Sequence, residues 1–190
     1  MNKLLLAIIF VSGSVFAGES DIENYVHQLM NESINVLNDT TIDQNTKTSK
    51  VRAMLASNMD TNWMARFTLG RIIKTISDTE ASKFIDTYQN YVISTYARAV
   101  SQYKGEKVEI QSVQKMDEEF SIVQTQVHKS DGNVINVNYL VKETKSGEYK
   151  VCDVITEGIS LINSHKAEYG SIIASQSINA LIETLVQKTK

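Results

Sequence analysis

Between residues 21 and 37 the apolar side chains of Ile22, Tyr25, Val26, Leu29, Val36 and Leu37 recur at spacings of three and four, the stripe of an amphipathic helix. A polar stretch over 38–50 reads as a linker. Val51, Met54, Leu55 and Met59 resume the helical pattern, and Trp63, Phe67 and residues 69–73 form a denser segment that is apolar on more than one side. Ser77-Asp78-Thr79-Glu80 has the spacing of a capping box, in which a hydroxyl and a carboxylate reciprocally satisfy the free amides of a helix start. The spacing predicts a long helix over 79–103 whose inner face carries Phe84, Tyr88, Tyr91, Val92, Thr95, Tyr96 and Ala99, with Gly105 as its stop.

After Gly105 the period shifts from 3.6 towards 2. Val108 and Ile110, then Ser121, Val123, Thr125 and Val127, then Ile135, Val137, Tyr139 and Val141, then Tyr149, Val151 and Ile155 read as four strands. Asp131-Gly132 and Ser146-Gly147 fall where short hairpins need positive φ, so the simplest sheet is an antiparallel meander. Helical spacing returns from Ser160 to the end through Leu161, Ile162, Ile172, Ile173, Ile178, Leu181, Ile182 and Leu185. Helices, sheet and helices in that order define an α+β fold. The chain has no proline, no low-complexity segment and no internal repeat, and its 190 residues suit one domain over 18–190.

The N-terminus changes the picture. Lys3, an apolar run over residues 4–11, and small residues at Val15 and Ala17 have the form of a secretory signal peptide cleaved after Ala17. That run is far below the roughly 20 residues needed to span a bilayer, so export is expected rather than a retained anchor. Cys152 is the single cysteine, so the exported domain is expected to fold without an internal disulfide. With 19 basic against 22 acidic residues and no basic run, no positive stripe for nucleic acid is expected.

Candidate chemistry is sparse. His27, His128 and His165 lie on different elements without a neighbouring ligand, which lacks the local spacing of a zinc site. The common nucleophile-elbow and phosphate-loop motifs are absent. Asp117-Glu118-Glu119 reads as a solvated turn. Asp153 shares the strand parity of Val151 and Ile155, which points its carboxylate at an apolar face, where it must be paired or protonated. Two readings follow: a general base acting beside a carbonyl, or a satisfied structural group with Arg66 as its partner. The aromatic stripe of Trp63, Met64, Phe67, Phe84, Tyr88 and Tyr96 fits a packed core and a lined cavity equally, because both place apolar side chains inward.

Three stretches together carry a resemblance: Trp63-Met64-Ala65-Arg66-Phe67-Thr68-Leu69-Gly70; Thr95-Tyr96-Ala97; and Tyr149-Lys150-Val151-Cys152-Asp153-Val154 followed by Glu157-Gly158-Ile159-Ser160-Leu161. In this order they resemble the MlaC family, also called the toluene-tolerance auxiliary family. The resemblance implies a four-stranded antiparallel curved sheet, nuclear transport factor 2-like, wrapped by helices around an apolar pocket. It implies a periplasmic phospholipid-binding protein, without catalysis and with bound phospholipid as cargo in place of a cofactor. Its implied partners are an outer-membrane lipoprotein–porin complex and an inner-membrane ABC transporter with an MCE-domain subunit, between which lipid moves to maintain outer-membrane asymmetry. Arg66, Asp153, Glu157, Gly158 and Ser160 match the family pattern as structural positions. The chain departs from that pattern at Cys152, where the family has an aromatic residue, at Asn163-Ser164-His165-Lys166, and near Gln176-Ser177.

With a pocket implied, inward parity and helical face assign its lining to Phe67, Ile72, Ile73, Phe84, Tyr88, Val92, Val123, Val137, Tyr139, Val151 and Ile155. The alternatives are a small-molecule enzyme of the same fold using Asp153 as base, a carrier of hopanoid-like lipids, and an adaptor with a solid core.

Overall fold

The computed structural model describes residues 17–101, 105–129 and 131–189. The expected leader lies, but for Ala17, outside the described residues, as does Tyr103 at the expected end of the long helix.

Local chemistry sets the helix starts. Helix α1 (Ala17–Asn38) is followed by α2 (Gln44–Asn58), which begins earlier than the apolar pattern predicts because the Asp43 carboxylate caps it, accepting from the Thr46 amide at 2.7 Å. The linker therefore shrinks to residues 39–43. Asp60 caps α3 (Thr61–Leu69) through the Trp63 amide at 3.0 Å, and a 3₁₀ turn, Gly70–Lys74, follows. The expected capping box opens α4 (Asp78–Ser101): the Ser77 amide donates to Glu80 at 3.0 Å and the Glu80 amide to the Ser77 hydroxyl at 3.2 Å.

The sheet runs β1 (Lys107–Lys115), β2 (Phe120–His128), β3 (Val134–Glu143), β4 (Tyr149–Thr156) and β5 (Ile159–Ser160), each antiparallel to the next and in sequence order. Five strands replace the four expected. The fifth is two residues long, below the reach of a periodicity argument, and exists because Glu157 and Gly158 take φ of 49° and 80°, the left-handed pair of a tight hairpin turn. The acidic run at 117–119 is the β1–β2 turn, with the Asp117 carboxylate accepting from the Glu119 and Phe120 amides. Helices α5 (Leu161–Ser175) and α6 (Ile178–Thr189) close the fold.

Register decides which side chains face inward. Val123 stands opposite Tyr139 and Val113, Val141 opposite Val151, and Tyr139 opposite Val154, all on one face. Cys152 is an extra residue in β4: Val151 pairs with Val141, yet Asp153 pairs with Leu140 and Ile155 with Asn138. This bulge corrects the parity expected from sequence, because Asp153 and Ile155 turn to the face opposite Val151 and Val154.

The inward sheet face bears two apolar clusters. The larger joins α3, α4, α5, α6 and Val151, with Met64, Phe84, Tyr88 and Leu181 fully buried. The smaller seats Ile22 and Val26 of α1 on Val123 and Val141. Tyr139 packs against both.

Candidate functional site

The two clusters bring together most of the expected lining. Phe84, Tyr88, Val92 and Val151 lie in the larger, with Phe67, Ile73 and Tyr139 at its margin, and Val123 lies in the smaller. Val137 is half-buried on the same sheet face, opposite Thr125 and Thr156, and Ile72 is half-buried on the 3₁₀ turn. Ile155 faces the other way for the reason given above. The apolar periodicity that selected α4 therefore also delivers its wall: Phe84 and Tyr88 stack at 5.8 Å, and Tyr88 meets Tyr169 of α5 edge-on at 6.1 Å.

Phenols and hydroxyls punctuate this interior. Burial pushes the Tyr88, Tyr96, Tyr139 and Tyr169 phenols above their ordinary titration range, so all four are neutral donors at physiological pH. The Tyr169 and Thr95 hydroxyls are buried without a hydrogen-bond partner. His165, 8% exposed, stacks on Tyr169 with ring centroids 5.0 Å apart, and its Nδ1 lies 3.1 Å from the Tyr88 hydroxyl. Neither His165 nor Tyr169 was assigned a role by sequence reasoning; the only signal was their shared phase, four residues apart on one helix.

At the junction of β4, β5 and α5 the family-pattern residues do structural work. Asp153, 3% exposed, accepts from the Ser160 hydroxyl at 2.5 Å and from the Ile162 amide at 3.1 Å, while Ser160 caps α5 through the Asn163 amide at 3.2 Å. Burial raises the Asp153 carboxyl pKa, and these hydrogen bonds oppose the rise. Glu157 accepts from the Asn136 amide at 2.5 Å and its own amide donates to the Asn136 carbonyl at 2.9 Å, so the turn residue completes the β3 ladder where β4 departs. Arg66 is not the partner of Asp153 that one of the two readings offered: it is exposed and its Nε donates to Asn62 of the same helix at 2.8 Å. Asp153→Ala strands the Ser160 hydroxyl and the Ile162 amide and is expected to cost about 2 kcal/mol, whereas Arg66→Gln is expected to stay within about 0.5 kcal/mol of the parent. Urea melts of the two variants check this contrast.

The outward sheet face holds a different feature, an open polar groove of about 530 Å³ lined by Gln111, Gln124, Gln126, Asn136, Asn138 and Glu157. Among the described residues no three His, Cys, Asp or Glu side chains come together as a metal site, and no helix is long and apolar enough to cross a membrane. The Cys152 thiol is buried and its pKa is pushed up to about 12, which keeps it protonated.

An open antiparallel sheet whose inner face is roofed by helices, with aromatic and aliphatic side chains between the layers, places the protein in the α+β class. Its family follows from comparison with known proteins. The MlaC protein family model matches residues 27–187, and the chain belongs to that family. The Intermembrane phospholipid transport system binding protein MlaC of Haemophilus influenzae is 28% identical over 122 residues, 63% of this chain. That match spans 57% of the relative's own length. The fold is shared with the phospholipid-binding protein from Ralstonia solanacearum, solved in complex with a phospholipid, at a TM-score of 0.73 and 17% identity over 90% of this chain and 96% of that one.

Proposed function

We propose that this chain is a periplasmic phospholipid carrier that moves lipid between the outer and inner membranes and so maintains outer-membrane asymmetry. The observation that carries the reading is the apolar inner face of the sheet roofed by the α4 aromatic wall, in a chain whose family match covers nearly its whole length. The H. influenzae relative's role in intermembrane phospholipid transport and the phospholipid bound to the R. solanacearum protein support it.

Energetics define what such a carrier must do. At about 0.8 kcal/mol per methylene, two chains of about 16 carbons represent roughly 25 kcal/mol of apolar surface that must stay out of water. The bilayer already supplies that burial, so the protein need only match it and replace a passage through water by an exchange between bilayer and pocket. The acyl chains enter between the two apolar clusters, along Tyr139, and the headgroup remains at the mouth. Helix α1 covers one side of this path, held by the smaller cluster and by the Tyr25 hydroxyl, which donates to the Asn58 carbonyl at 3.3 Å. Lipid is delivered to, or received from, an outer-membrane lipoprotein–porin complex and an inner-membrane ABC transporter carrying an MCE-domain subunit.

Native mass spectrometry of the exported protein purified without detergent, followed by lipid extraction, tests the reading. A stoichiometric phospholipid adduct is expected. A hopanoid-like lipid in the extract keeps the carrier and changes the cargo. A folded protein that is empty and takes no lipid from vesicles overturns the proposal.

A further inference from the structure

Helix α3 departs from the usual division of a surface helix. Its inward face is Thr61, Met64, Ala65, Thr68 and Leu69, all buried, which leaves Asn62, Trp63, Arg66 and Phe67 on the outward side. Two of those four are large aromatics, and they form a continuous half-buried strip: Trp63 stacks on Phe67 at 5.2 Å and leans on Phe120 of β2 at 5.5 Å. The Lys166 ammonium of α5 lies over the Phe67 ring, 4.7 Å from its centroid.

On the α3 side of the strip the charge has one sign. Arg66, Arg71, Lys74 and Lys166 are exposed, and residues 61–77 contain no acid, in a chain whose net charge is −3. Of the bordering carboxylates, Asp60 caps α3 and lies 3.9 Å from Lys142, the Asp117 carboxylate binds backbone amides, and Glu168 pairs with Lys188 at 2.9 Å, while Glu118 and Glu119 stand exposed beside Phe120 at the far edge of the strip. Indole and phenyl rings ringed by lysine and arginine suit the boundary between headgroups and acyl chains, where the rings leave water and the cations stay with lipid phosphates.

We infer that the outward face of α3, with the adjoining 3₁₀ turn and Lys166, docks the protein on an anionic phospholipid bilayer. This rests on the carrier reading for its purpose, since a carrier must approach a membrane; Trp63 and Phe67 also pack against the larger apolar cluster, so the face adjoins the interior, while the flanking cations do not. The occupant is the bilayer surface itself, recognised by negative phosphates and an apolar layer just beneath them.

Trp63 is the only tryptophan, and it lies half-buried in this strip, so its emission reports on it when the lipid load is held constant. The lipid-loaded protein is titrated with vesicles of phosphatidylcholine, with and without 30 mole per cent (about one lipid in three) phosphatidylglycerol, a content chosen to give a strongly negative surface. The expected result is a blue shift of Trp63 and co-sedimentation with the anionic vesicles only, both reversed by salt. The double variant Arg71→Gln/Lys166→Gln is expected to bind about 25-fold more weakly, about fivefold for each cation, while Lys50→Gln/Lys129→Gln binds as the parent does. Equal binding by the parent and the first double variant, or unmoved Trp63 emission with anionic vesicles, overturns the docking proposal. A shift produced by polyglutamate but not by anionic vesicles assigns the face to an acidic protein and overturns it as well. Native mass spectrometry of the same samples separates the two readings: a loaded protein that ignores vesicles fails docking alone, and a protein that sediments but never carries lipid fails the carrier reading alone.

Discussion

A carboxylate placed at Val137 is expected to abolish phospholipid loading, while the same substitution at Gln124 leaves it intact. The two positions lie on adjacent strands and differ in face. Val137 stands opposite Thr125 and Thr156, on the side of the sheet that carries Val123, Tyr139 and Val151. Gln124 stands opposite Asn138 and Ser112 on the polar outer side. An acyl chain laid along the inner face would meet the new carboxylate with no water and no counter-charge, which costs several kcal/mol. Each 1.4 kcal/mol is tenfold in affinity, so loading is expected to fall by at least about 100-fold. Val137 is only half-buried, so the empty protein can hydrate the carboxylate and keep its fold, a condition checked by matched circular-dichroism melts. Loading is read as the adduct fraction after equilibration with vesicles; equal loading of Val137→Asp and Gln124→Asp would remove Val137 from the lining.

What the sequence made legible follows from the range of each interaction. The capping box at Ser77, the hairpin glycines at 132 and 147, and the α4 stripe are local signals, written within a few residues of the structure they cause; the first two appear where the pattern places them, and the stripe holds from Phe84 to Tyr96 but not at Ala99, which is exposed. The errors have non-local causes. Nothing in the alternation of Val151, Asp153 and Ile155 announces that Cys152 will be the extra residue of a bulge, because the bulge is defined by the partner strand; one skipped position then moved Asp153 and Ile155 to the other face. Opposite charge alone matches Arg66 to Asp153, but Asp153 instead binds a hydroxyl and an amide at the start of α5, closer in sequence and already in need of an acceptor. Parity and helical phase place side chains inward where the elements are regular, so Phe84, Tyr88 and Val92 are buried, whereas Ile155, past the bulge, turns to the other face. The docking face on α3 escaped a periodicity reading for the opposite reason: aromatic residues on both sides of a short helix look like burial on both sides, and only the fold distinguishes core from surface.

The buried His165 makes stability depend on acid in a direction that a count of surface carboxylates would not reveal. Desolvation is the largest influence on the imidazole, and it lowers its pKa from 6.5 to about 4; the Glu168 carboxylate opposes the shift and the Lys188 ammonium reinforces it. Between those two values the unfolded chain binds a proton that the folded protein refuses. Stability therefore falls as pH drops from about 6.5 towards 4. The contribution is about 2 kcal/mol after allowance for the ring edge that still reaches solvent. Geometry explains the refusal. The neutral ring shares a hydrogen bond between Nδ1 and the Tyr88 hydroxyl 3.1 Å away; in the cation both ring nitrogens are donors, and the charge sits between Tyr169, Tyr91 and Tyr88 in the larger apolar cluster. Asp153 has the opposite sign: its raised pKa favours the folded state on acidification, so it partly offsets the loss. Thermal melts of the parent at pH 7 and at pH 4.5 (about 2 units below the ordinary histidine value) are expected to differ by several degrees. His165→Gln preserves an acceptor for Tyr88 but cannot titrate, so its melting temperature is expected to change far less between the same two pH values. An unaltered pH slope in that variant would place the acid sensitivity elsewhere in the chain. The expected slope would also matter for loading, because His165 holds α5 to Tyr88 on the α4 wall, and protonation would loosen one side of the interior that the acyl chains are proposed to occupy.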